Sequence, residues 1–106
     1  MSKGISLKLK TRTQAEALLT FFTEYVVNAT PDDLAESLLK DIMMKVFKKL
    51  RTKVENYDQH GWNLSLSTDE AKAYFIYWQN RAIDYGYTFE KSIVQSHLAQ
   101  IEQVHG

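Results

Sequence analysis

The 106-residue chain has no cysteine, one proline and four glycines. Without cysteine there is no disulfide framework, no thiolate zinc site and no cysteine nucleophile. So few glycines leave no glycine-rich phosphate loop, and no G-x-S-x-G nucleophile turn occurs. No apolar run approaches the ~20 residues of a membrane-spanning helix. The opening "MSKGISLKLK" has no apolar core of signal-peptide length. A soluble, cytoplasmic protein is therefore expected, with no membrane contact.

Charge of one sign is also missing. Thirteen basic and thirteen acidic residues cancel to a formal net charge of +0. A globally basic nucleic-acid binder is excluded, but a local basic face is not.

What is present is apolar supply and periodicity. Hydrophobic residues make up 44% and aromatics 12%, enough for one core in a single domain over residues 1–106. Ile5, Leu7 and Leu9 alternate with Ser6, Lys8 and Lys10. Trp62, Leu64 and Leu66 alternate with Asn63, Ser65 and Ser67. Period two predicts two half-buried strands. Each is followed by capping residues, Thr11 or Thr13 in the first case and Ser67 or Thr68 in the second.

The helices that follow repeat. Ala15, Leu18, Leu19, Phe22, Val26 and Ala29 match Ala71, Tyr74, Phe75, Trp78, Ala82 and Tyr85 at an offset of 56. The strands match at an offset of 57. At ~100° per residue each helical set lies on one face. A second helix is predicted in each half. The first is capped at Thr30, begins at Pro31 and runs to about Tyr57, with Leu38, Leu39, Ile42, Val46, Leu50 and Val54 as its stripe. The other follows Gly86 and Thr88, with Phe89, Ile93, His97, Ile101 and Val104 as its stripe. The reading is an α+β, mostly helical domain of duplicated β-α-α units, residues 5–57 and 62–105, with two short strands and four helices. The alternative is an all-α bundle in which the alternating runs are merely extended. A helix over 31–57 spans about 40 Å, longer than the ~30 Å of a small domain, so it must bend or project.

Two candidate surfaces emerge. Lys40, Lys45, Lys48, Lys49 and Arg51 share an arc of the second helix, with Lys53 at its edge. The N-terminal stretch adds Lys3, Lys8, Lys10 and Arg12. Ten basic residues less Asp41 give these stretches +9 and leave −9 for the rest. Lys8, Lys10, Lys40, Lys45, Lys48, Lys49 and Arg51 are the candidate nucleic-acid contacts, although the bland reading is a solvated helix face. Apolar residues off the main stripes form the second surface. Phe21, Val27, Phe47, Ile76, Tyr77 and Ile83 are the candidate partner interface, and they point to a homodimer or another protein partner.

Catalysis has little to stand on. Asp32 with Asp33, and Asp69 with Glu70, are paired carboxylates, but capping of helix starts explains both better. His97 on an apolar stripe reads as a partly buried, hydrogen-bonded core residue. No cofactor and no metal ligand set is indicated, and a non-enzymatic interaction or scaffold protein that self-associates through apolar helix faces is expected. The alternative is a nucleic-acid-binding accessory protein using the basic helix face and the first strand.

Overall fold

The computed structural model describes residues 4–56, 62–79, 81 and 85–105. Two strands, β1 (Ile5–Leu9) and β2 (Trp62–Leu66), pair antiparallel. Four helices complete an α+β, mostly helical domain: α1 (Arg12–Phe22), α2 (Leu34–Glu55), α3 (Thr68–Gln79) and α4 (Thr88–His105). A π-helical turn over Thr23–Val27 extends α1, and a 3₁₀ turn over Tyr85–Tyr87 leads into α4.

Reciprocal caps start three helices. Thr11 Oγ1 accepts from the Gln14 backbone N–H, and Gln14 Oε1 accepts from that of Lys10. Asp33 Oδ1 accepts from Glu36 N–H, and Glu36 Oε2 accepts from Asp32 N–H. Ser67 Oγ accepts from Glu70 N–H, and Glu70 Oε1 accepts from Ser67 N–H. The α2 cap is Asp33, not the expected Thr30, because Asp33 is the residue with an acceptor three positions before Glu36. The helix is accordingly shorter than expected. Its 22 residues span about 33 Å, which fits within the 40 Å long dimension of the molecule.

The strand register reveals the symmetry. Leu7 pairs with Leu64, its own counterpart at the strand offset, with Ile5 opposite Leu66 and Leu9 opposite Trp62 on either side. Deeper in the core Phe22 meets its counterpart Trp78 at a ring-centroid separation of 5.5 Å. Both pairs join residues at matching positions of the two β-α-α runs, the pattern of an internal repeat. Burial follows it. Ala15, Leu18, Phe21 and Phe22 are buried, and so are Ala71, Tyr74, Tyr77 and Trp78. Met43, Val46 and Leu50 of α2 are matched at identical spacing by Val94, His97 and Ile101 of α4.

The halves interlock. α2 packs on β2 and α3, and α4 packs on β1 and α1, so each long helix covers the strand of the other half. A two-stranded ribbon has two open edges, which need partners. Gln100 Oε1 accepts from Lys8 N–H at 3.4 Å, and His97 Nε2 lies 3.0 Å from the Lys8 carbonyl. On the other edge Lys49 Nζ donates to the carbonyl of Ser65, the counterpart of Lys8. Beside the ribbon, a Cβ on Gly4 would lie 2.7 Å from the Leu66 carbonyl oxygen, so only glycine allows that close approach.

Candidate functional site

Alternation along the ribbon sends Leu7, Leu9, Leu64 and Leu66 into the core. It leaves Ser6, Lys8, Asn63 and Ser65 on the opposite, exposed face. A groove runs along each edge of that face. The α2 side, ≈ 610 Å³, is lined by Lys48, Lys49, Thr52, Lys53, Asn56, Leu64 and Ser65. The α4 side, ≈ 290 Å³, is lined by Lys8, Lys10, Gln14, Ser92, Ile93, Ser96, His97 and Gln100. Among the described residues neither lining contains a carboxylate.

The basic residues singled out from the sequence divide into two groups. Lys8 on β1 and Lys10 just after it line the α4 groove, and Lys48 and Lys49 on α2 line the groove on the other edge of the ribbon. Lys45 is exposed but lines neither groove. Lys40 is a correction. Its ammonium donates to the carbonyls of Val27 and Ala29 at 3.2 and 2.6 Å, closing the end of the helical run that begins at Arg12. Arg51 pairs with Glu55 one turn along its own helix at 3.0 Å. Lys53, placed only at the edge of the basic arc from sequence, is a full member of the groove.

Lys49 does structural work as well. Its ammonium lies 2.5 Å from Glu70 Oε1. Burial raises the Glu70 pKa, but the bonds from Lys49 and from the Ser67 backbone outweigh it, and the carboxyl lies below its usual range. Glu70 is thus held ionised and neutralised by the groove lysine beside it.

His97 sits at the floor of the α4 groove, a core histidine as expected, and wholly buried. The Lys8 carbonyl can only accept, so Nε2 carries the proton. Nδ1 then accepts from the Tyr74 hydroxyl at 2.7 Å. Burial pushes the imidazole pKa down, opposed by the bond to Lys8. Burial raises the Tyr74 hydroxyl. The pair is neutral and closed, a structural link between α3, α4 and β1.

The proposed partner surface is corrected in two places. Phe21 is fully buried, stacked on Trp78 at 4.8 Å. Tyr77 is also buried, and its hydroxyl donates to the Tyr25 carbonyl in the π turn. Phe21 and Tyr77 therefore face inward, because each helix is enclosed on two sides within the closed ring α1–α2–α3–α4. Val27 and Phe47 are half-buried. Ile76 is 45% exposed. Ile83 lies outside the described residues.

Sequence reasoning missed the most exposed apolar residues. Leu34 is 88% exposed and Leu38 62%. Leu38 had been assigned to the buried stripe of α2, but Met43, Val46 and Leu50 carry that stripe. The missed signal was local: Leu34 and Leu38, four apart, form a short stripe of their own in the first turns, continued by Asp41 and Lys45 at spacings of three and four.

Among the described residues no helix is long and apolar enough to cross a membrane. Compared with known protein families, curated proteins and solved structures, the chain matches none.

Proposed function

We propose that the protein is a non-enzymatic interaction module that self-associates through the outer stripe of α2. The observation that carries this is the solvent exposure of Leu34 and Leu38 on adjacent turns of one helix face. Large apolar side chains exposed side by side mark contact surfaces more often than isolated ones do.

The charges on the same helix favour a second copy as the occupant. Acids stand at its start, Asp32, Asp33 and Glu36, and Lys45 follows about two to three turns on. Two α2 helices laid antiparallel with Leu38 at the centre bring Lys45 of each copy to the acidic start of the other. Such an isologous contact satisfies both charges twice. Two leucines per chain cover less than the ~1,000 Å² of a permanent interface, so the dimer is weak and concentration-dependent.

Sedimentation velocity over a concentration series tests the reading. The mass rises toward that of a dimer for the native chain, and stays monomeric for Leu34→Ser/Leu38→Ser with an unchanged Tm. Lys45→Glu weakens association, and adding Asp32→Lys restores it. A native chain that stays monomeric at millimolar concentration overturns the proposal.

A further inference from the structure

We infer that the exposed face of the β1–β2 ribbon, with its two flanking grooves, is a site for the phosphodiester backbone of a nucleic acid. Three observations carry it, and none involves the α2 stripe.

The first is charge segregation. A chain of zero net charge places Lys8, Lys10, Lys48, Lys49 and Lys53 in two grooves, with no carboxylate among the described residues of either lining. Lys49 is neutralised by Glu70. Lys8, Lys10, Lys48 and Lys53 form no ion pair among the described residues. The grooves are separated only by the width of two paired strands, about 5 Å between neighbours. Lysines therefore stand on both edges of a narrow ribbon.

The second is the chemistry between the lysines. Ser6, Asn63 and Ser65 on the ribbon, with Ser96 on α4, supply neutral hydroxyl and amide donors. Phosphate oxygens take such donors as readily as they take lysine.

The third distinguishes nucleic acid from an acidic protein. A protein interface is built on a buried apolar or aromatic anchor. The large exposed apolar side chains, Leu34, Leu38, Ile76, Phe89 and Val104, line neither groove. A phosphate backbone needs no anchor, because counterion release drives the association. Among the described residues neither lining contains an arginine fork or an exposed aromatic platform for reading bases. Lysine acts as a point charge, so the binding is independent of sequence.

Fluorescence anisotropy of a labelled 20-base-pair duplex of random sequence, titrated with the full chain over a salt series, tests the inference. Four lysines that each neutralise one phosphate give a log–log salt slope of about −3.6, and an affinity loss of about 100-fold between 50 and 200 mM salt. Lys8→Glu/Lys48→Glu abolishes binding, and Lys8→Gln/Lys48→Gln/Lys53→Gln lowers the slope to about −1 should the charge-reversed chain fold poorly. Lys72→Glu, on the exposed side of α3, leaves affinity unchanged. No binding at 50 mM salt overturns the site, as does a loss for Lys72→Glu equal to that for Lys8→Glu/Lys48→Glu, which would show diffuse attraction. Self-association measured on the same variants reads the α2 stripe separately.

Discussion

The Tyr74 hydroxyl donates to Nδ1 of His97 at 2.7 Å, with both side chains fully out of solvent. Two residues 23 apart, on different helices, thereby satisfy each other, and the second nitrogen of His97 reaches the backbone of β1. A buried polar network of this kind stabilises only while every member is paired.

The histidine makes stability depend on pH. Its pKa is depressed in the folded state, so the unfolded chain binds the proton more readily. The contribution is complete above the ordinary value of 6.5 and is lost as pH falls below it toward the folded value. Tm measured between pH 7.5 and 5 should fall for the native chain. His97→Gln should lower Tm at pH 7.5 and flatten that part of the profile. Equal slopes for both chains would assign the pH dependence to other groups.

Removal of the Tyr74 hydroxyl isolates its partner. Tyr74→Phe leaves Nδ1 of a buried imidazole without a donor, at a cost of about 1–3 kcal/mol in urea unfolding. Because the ring remains, packing against Phe22 and Trp78 is kept. A neutral substitution would mean that Nδ1 finds water or another donor.

Phe21 and Ile76 should separate cleanly. Phe21→Ala opens a cavity in the aromatic core and costs about 3–5 kcal/mol. Ile76→Ser on the exposed side of α3 changes stability by about 0.5 kcal/mol or less. Comparable losses at the two positions would contradict the inward orientation of Phe21.

The Lys49–Glu70 pair is read through titration. Lys49→Met removes the strongest influence holding the Glu70 carboxyl down, so burial should move its midpoint upward in an NMR titration. The Ser67 cap remains, and the α3 start stays folded at neutral pH. An unmoved midpoint would show that the backbone N–H of Ser67 alone sets it.

Gly4 tests the close approach beside the ribbon. Gly4→Ala drives a Cβ against the Leu66 carbonyl oxygen, and a backbone atom cannot swing aside as a side chain can. The cost should be about 1–3 kcal/mol, as for other overpacked sites. A wild-type Tm would mean that the chain start moves away freely.

The local code was sufficient for the elements. Period-two leucines at 5–9 and 62–66 and capped 3.6-period runs determined two strands and four helices, because alternation and capping act between near neighbours. The repeat was legible for the same reason, since Leu18 and Phe22 stand where Tyr74 and Trp78 stand. Tertiary structure decided what those signals leave open. Which α2 stripe is buried, Met43–Val46–Leu50 or the run through Leu38, depends on how the helix is rotated against β2 and α3. Whether Phe21 and Tyr77 face outward depends on a ring of four helices enclosing each face. Lys40 and Lys48 look alike in sequence, but one meets the carbonyls at the end of the π turn and the other meets solvent beside β2. A side chain's type is written locally. Its partner is set by contacts distant in the chain, and these form only when the two halves interlock about Leu7 and Leu64.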